Sequence, residues 1–334
     1  MPKGRSILKA LAKMECVNIP KTTKISDLKE YGIKTLAVDL SNMIHKNPTY
    51  MYAYILKLIK KFAELGYTLI FVFDGKPPDK KIHIINIRKD KRKKCQESLI
   101  KEQKILNNYK AIIKTEPSKE KRKELEGMIS ETNVNIRKYH RGSFKINRNH
   151  IKNLKSLFDF LKVQYIHFED GEADLLCSTL VKMGIADAYL GDDYDPLAYG
   201  CTHIVRNLDI TKGTVDIINV NDIYSKIKLS YEEFIYLIIL NGTEYSEKIQ
   251  GINITYIRAL LILKFKIDEI LVLIKKQKYD YISAYEIFTK HLDIEPRKDI
   301  VNYNEPFDIK SFNEKSEEYL RLRVFSNPYL CLAN

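Results

Sequence analysis

Apolar residues keep two different periods along this chain, and the switches between them mark out its elements. Residues 34–39 and 68–74 are short apolar runs, KTLAVD and TLIFVFD, each ending in Asp as buried parallel strands of an open sheet do. Between them, 49–65 sets Tyr54, Leu56, Ile59 and Phe62 at helical spacing, with Gly66 as the stop. A helix is predicted over 149–162, followed by the strand VQYIHF and the helix FEDGEADLLCSTLVKM. Further strands are predicted near 186–190, 202–206 and 214–219. The alternation predicts an α/β fold, a mainly parallel twisted sheet flanked by helices on both faces.

Two stretches depart from it. Residues 80–147 read as helical, charged and poor in apolar positions, with Pro117 as a break near the middle. Such a segment cannot bury a core face of its own, so it is expected to project from the sheet above its carboxyl edge. After 230 the chain turns helical, through YEEFIYLIILNG and GINITYIRALLILKF, before a less readable tail from about 275.

Charge sharpens the picture of the insertion. Residues 76–148 carry 22 Lys/Arg against 9 Asp/Glu, which is the whole net excess of +13 in the chain. Concentrated Lys and Arg mark a polyanion partner, since each neutralised phosphate releases a counterion; a solvated helical hairpin explains a charge run equally well. Bulky apolar residues opposite the basic face are too few for a membrane-surface helix. No run approaches the roughly 18 apolar residues of a membrane span, and the start, MPKGRSILKALAKME, lacks an apolar signal region. Five scattered cysteines, Cys16, Cys95, Cys177, Cys201 and Cys331, have no CxxC pair. They suit reduced thiols inside a cell and imply no zinc site.

The chemistry is expected from acids. Asp39, Asp74, Glu172, Asp174, Asp193, Asp195 and Glu244 fall in five clusters, several where a strand stops. Carboxylates at strand C-termini project into the crevice where open α/β sheets bind ligands. Taken singly, an Asp after a strand can be a helix cap or turn former, and Glu172 and Asp174 can complement a helix dipole. Gathered together, they repel unless cations neutralise them, and hard divalent ions prefer oxygen ligands.

At these residues the sequence resembles the flap endonuclease and XPG group of structure-specific 5′ nucleases, over about residues 30–265. FVFDGKPP is close to a family signature, and GEADLLC resembles the Glu-Ala-Glu/Asp-Ala block. GDDYDPLAYG resembles E-D-x-D-x-L-x-[FY]-G, and LNGTEYSEKIQGI resembles L-x-G-x-D-Y-x-x-x-I-x-G-I, with Glu244 where the family has Asp. The resemblance implies a PIN-like 5′ nuclease fold: a core over 1–230 with a helical arch at about 80–147, then a helical region over 231–334 holding a degenerate duplex-binding hairpin near 240–265. It implies one Mg²⁺ on Asp39, Asp74, Glu172 and Asp174 and a second on Asp193, Asp195 and Glu244, with Mn²⁺ as a substitute. Two such ions about 3.5–4 Å apart clamp a scissile phosphate.

The same resemblance makes Lys81 and Arg88, two helical turns apart, the cations that reach that phosphate. It gives the arch residues Lys89, Lys91, Arg92, Lys93, Lys94, Arg137, Lys138 and Arg141 phosphate contacts, and Gly251, Ile252 and Arg258 a grip on duplex backbone. Departures are as plain: Asn253 and Ile254 replace a Gly-Pro, the chain starts Met-Pro-Lys-Gly rather than Met-Gly, and His45 stands where an aromatic is expected. A sliding-clamp motif is absent. The expectation is a monomeric, Mg²⁺-dependent enzyme cutting DNA at flaps, gaps or junctions, in the nucleus or a viral replication compartment. A 5′→3′ exonuclease or junction resolvase of the same family, a DNA-binding protein on a decayed nuclease fold and an RNA-directed nuclease are the alternatives.

Overall fold

The computed structural model of the chain describes residues 20–77, 81–167, 169, 171–290, 292, 295, 300–301, 311 and 314–316. The Met-Pro-Lys-Gly start, Cys16 and Cys331 lie outside them. Five strands form the parallel centre: β2 (Thr35–Asp39), β3 (Thr68–Phe73), β4 (Tyr165–His167), β5 (Ala188–Leu190) and β6 (His203–Asp209). Three more pair antiparallel at or next to the edges: β1 (Lys21–Lys24), β7 (Thr214–Asn219) and β8 (Ile300–Val301). The strand order is β1-β7-β6-β5-β2-β3-β4-β8. From β2 the chain builds outward through β3 and β4, then returns to the other side of β2 with β5 and β6. The strand order therefore reverses between β2 and β5, and their carboxyl ends flank the crevice where such sheets bind ligands.

Alternation along each strand supplies both sides of the sheet. Leu69, Phe71 and Phe73 face one core, and Ile70 and Val72 face the other. Behind the first pack α1 (Leu40–Lys46), α2 (Met51–Glu64) and α5 (Arg148–Leu161), where Phe71 stacks on Phe158 with centroids 4.7 Å apart. Behind the second lie α6 (Ala173–Lys182), α8 (Val220–Ile227), α9 (Tyr231–Asn241), α10 (Ile254–Ile262), α11 (Ile267–Leu273) and α12 (Ile282–Thr289). The helices after residue 230 thus share a continuous core with this face of the sheet.

The charged insertion is a pair of long helices, α3 (Ile82–Thr115) and α4 (Lys119–Ser143), broken at Pro117 as its position predicts. No residue of α3 is buried and only Thr132 of α4 is, so the two pack on each other rather than on the core. They pack closely at Gly142, where an added Cβ would stand 2.7 Å from Cys95 Sγ. Among the described residues no helix is long and apolar enough to cross a membrane.

Candidate active site

Each of the seven acids sits at a chain reversal on the crevice side. Asp39 ends β2 and accepts a hydrogen bond from Asn42 N at 2.9 Å, capping α1. Asp74 follows β3 and accepts from Ala173 N at 3.0 Å, which ties that strand to the start of α6. Glu172 is the N-cap residue of α6, and Asp174 stands in its first turn. Asp193 and Asp195 follow β5, with Asp195 opening the short helix α7 (Asp195–Ala198). Glu244 lies just after α9, in a turn that needs Gly242. That residue has φ 91°, and a Cβ there would meet the backbone of Lys248 at 2.8 Å.

Their mutual electrostatics show that these acids lie near enough to act on one another. Burial raises the Asp39 pKa, and the charges of Asp74 and Asp193 push it further. Asp174 is raised by burial and then by Glu172, with Asp195 and Asp193 adding to it. Burial, Glu244 and Asp193 push Asp195 up to about 7, and burial with Glu244 raises Asp193 as well. Every one of the seven therefore acts on at least one other.

Two cations enter this field from the arch. Lys81, only 6% exposed, lies at the N-cap of α3, and its Nζ stands 2.7 Å from Glu172 Oε1 and 2.6 Å from Glu244 Oε2. Burial alone would lower its pKa, but Asp174, Glu172 and Glu244 overcome that and raise it, so it stays charged. Arg88, two turns along the same face, pairs with the other oxygen of Glu244. The spacing of the two cations is thus realised as one contact surface. Among the described residues, no three carboxylates close on a common point as a ready-made metal cage, and Lys81 and Arg88 pair with Glu172 and Glu244. The donor set is all carboxylate oxygen, with no thiol or imidazole among the acids, and suits a hard divalent cation.

Neutral residues brace this arrangement, and the charge pattern carried no signal for them. Tyr245 donates its hydroxyl to Glu172 Oε2 at 2.8 Å, lies 3.0 Å from the Tyr199 hydroxyl, and holds the Lys81 ammonium 5.7 Å from its ring centroid. Asn42 reaches Asp193 Oδ2 at 3.3 Å and accepts from Asp192 N at 3.1 Å. It thereby links the carboxyl ends of β2 and β5. Asp192, next to Asp193, is bound outward, to Lys46 at 3.0 Å and to Asn207 N at 2.9 Å.

The remaining candidates divide into two places. Lys89, Lys91, Lys93 and Lys94 are exposed along α3 and Arg92 is half-buried there. Arg137, Lys138 and Arg141 line a groove of about 470 Å³ on α4 with Val134 and Gly142. Gly251, at φ 79°, and Ile252 precede α10, whose N-cap Asn253 accepts from Thr255 N. Arg258 is engaged within the protein: its Nε donates to Ile227 O at 2.9 Å and its Nη2 to Lys226 O at 3.4 Å. It closes the C-terminal carbonyls of α8.

The family model for the XPG I-region matches residues 162–244, which span α6, the 191–195 turn and Glu244. Flap endonuclease 1 of Methanococcus aeolicus is 27% identical over 326 residues, covering 91% of this chain and 87% of the relative. Flap endonuclease 1-A of Xenopus laevis is 26% identical, covering 86% and 74%. Residues 162–244 thus match the XPG I-region, and most of the chain is similar to flap endonucleases. With flap endonuclease 1 of Cryptosporidium muris, 27% identical, the match spans 69% of this chain and 47% of the relative, about half of its length. The fold is that of the flap endonuclease-1 structure from Methanococcus jannaschii, at TM-score 0.54 and 18% identity, covering 93% of this chain and 98% of that one. It is also that of human GEN1 in complex with Holliday junction DNA, at TM-score 0.58 and 18% identity, with 91% and 71% covered.

Proposed function

We propose that the chain is a divalent-metal-dependent DNA 5′ nuclease that hydrolyses a phosphodiester at a single-strand/duplex junction of the flap, gap or four-way type. One observation carries this reading: seven carboxylates meet at the reversal of strand order, and Lys81 and Arg88 reach them from an otherwise solvent-facing basic hairpin. Asp39, Asp74, Glu172, Asp174, Asp193, Asp195 and Glu244 would hold Mg²⁺, which supplies a lowered pKa for the attacking water and charge neutralisation at the phosphate. Lys81 and Arg88 are the switchable partners. A phosphate arriving between them and the acids competes for both cations, so the same groups that neutralise the crevice can clamp the reacting phosphoryl oxygens. Tyr245 orients Glu172 throughout. The exposed cations of α3 and α4 contact phosphates without reading sequence, and Gly251 and Ile252 offer backbone amides at the start of α10 to the duplex strand.

The test is cleavage of end-labelled 5′-flap, gapped, nicked and four-way DNA in Mg²⁺, with Asp193→Asn as control. The reading expects junction-dependent cuts that Asp193→Asn reduces by about 10³-fold. Absence of cutting on all four substrates, or equal cutting by the variant, would overturn it. The pattern across substrates also separates a flap endonuclease from an exonuclease or junction resolvase.

A further inference from the structure

The turn between β5 and α7 carries two of the seven acids, and one buried guanidinium holds it from the neighbouring strand. Gly191 N donates to Val205 O at 3.0 Å, so β5 and β6 stay paired until the turn begins. Arg206, the next residue of β6, lies on the same face of the sheet as Ile204 and is 7% exposed. Its Nη2 donates to Asp192 O at 2.9 Å, and its guanidinium carbon sits 3.6 Å from the ring centroid of the buried Tyr194. One side chain thus grips the residue before Asp193 and the residue after it. Tyr194 is in turn the N-cap residue of α7, which Asp195 opens.

The fold by itself does not call for a cation there. Arg206 Nε and Nη1 are buried and have no acceptor among the described residues, and buried donors left unmet cost stability. Asp216, opposite Arg206 on β7, gives its carboxylate to Thr22 and Asn207, both at 2.6 Å, and Asp192 gives its own to Lys46 and Asn207 N. What the guanidinium supplies is geometry. A planar group can rest on a ring while an edge N–H donates, which an ammonium cannot do at once. The acids it brackets need that restraint, because Glu244 and Asp193 crowd Asp195 with like charge and a loose turn would let them spread. We infer that Arg206 is a positioning residue of the metal site: through Asp192 and Tyr194 it holds Asp193 and Asp195 at the separation that binds a divalent cation. The inference rests on the metal-dependent nuclease reading and assigns part of the metal affinity to a side chain outside the acidic cluster.

The test separates metal affinity from stability in the full chain. Arg206→Met fills a similar volume and removes two unmet donors along with one hydrogen bond that is made. Its Tm in EDTA is expected within about 3 °C of wild type. Mn²⁺, followed by loss of the free-ion signal on titration, should nevertheless bind about tenfold more weakly or worse. Arg206→Lys keeps the charge without the planar fork and should bind Mn²⁺ as weakly as Arg206→Met. Tyr194→Leu should weaken Mn²⁺ too, and the double variant with Arg206→Met should lose little beyond either single change, because both break one contact. In single-turnover cleavage of a 5′ flap, Arg206→Met should need about tenfold more Mg²⁺ for half-maximal rate, with DNA affinity in EDTA unchanged. Wild-type Mn²⁺ affinity in Arg206→Met, full rescue by Arg206→Lys, or additive losses in the double variant would overturn the inference. So would weaker Mn²⁺ binding accompanied by a Tm drop beyond about 3 °C, which would make Arg206 a support of the fold at large. Wild type that cuts no DNA would sink the nuclease reading, while the Mn²⁺ comparison would still decide the role of Arg206.

Discussion

The crevice and the arch handle charge in opposite ways. In the crevice, acids are drawn into a buried site where each raises the pKa of its neighbours, and two cations are held between them. Along the arch, Lys and Arg stand in solvent on helices without a core, and few meet a described carboxylate. Buried charge in the first case makes the groups sensitive to every partner, because the low dielectric strengthens attraction and repulsion alike. Exposed charge in the second is screened and individually weak, and acts by number. The crevice is therefore suited to chemistry at one phosphate and the arch to collecting many.

The sharpest way to break this contrast is to remove the cation that joins the two regions. Lys81→Ala is expected to lower single-turnover cleavage by about 10²-fold or more while leaving DNA affinity within a few-fold, because Glu172 and Glu244 lose their shared partner inside the crevice. A loss confined to affinity would make Lys81 just another arch lysine.

A second test uses pH. Asp39, Asp174, Asp193 and Asp195 have folded-state pKa values raised by burial and by one another, so the folded state binds more protons than the unfolded chain. The stability derivative with pH is then negative, and metal-free protein loses stability as pH rises from about 4 through the Asp195 value of about 7. The loss is on the order of 2 kcal/mol after allowance for solvent screening. Thermal melts in EDTA should therefore give a higher Tm at pH 5.5 than at pH 8, and Mg²⁺ should raise Tm more at pH 8 than at pH 5.5. A metal-free Tm that climbs with pH would contradict the buried acidic cluster.

On the arch, single charge removals should be small and additive. Lys91→Gln or Lys94→Gln should weaken binding uniformly across DNA sequences and lower the salt slope of log K by about one each, read from binding between 50 and 200 mM salt. Sequence-dependent losses would sink the positioning role. Smaller still, Gly142→Ala puts a methyl against Cys95 Sγ and should splay the two arch helices. The expected cost is about 1 kcal/mol, seen as faster proteolysis of the arch with the sheet core unchanged.

How legible all this was in the sequence follows the same divide. Strands such as TLIFVF announce themselves because both faces are buried, and the Asp after each marks the ligand edge. Pro117 alone predicts the arch turn. The edge strands β1 and β8 escaped notice because KTTK and a two-residue IV have no periodicity, and only pairing with distant strands makes them strands. In the site, charge pointed to the seven acids and register to Lys81 and Arg88. Tyr245, Tyr199 and Asn42 gave no such signal, since a neutral hydroxyl or amide shows its role only through the partner it reaches. Arg258 is a further case: its charge alone does not signal the hydrogen bonds it donates to the carbonyls of α8.

The most direct measurement of the central claim is binding of Mn²⁺, used as a paramagnetic stand-in for Mg²⁺ and followed by the loss of free-ion signal on titration. The wild-type chain should bind the ion saturably at pH 7.5. Asp39→Asn and Asp193→Asn, on opposite sides of the crevice, should each weaken binding at least tenfold while the far-UV spectrum is unchanged. Wild type that takes up no Mn²⁺, or variants that bind it as well as wild type, would mean that these acids meet without forming a metal site.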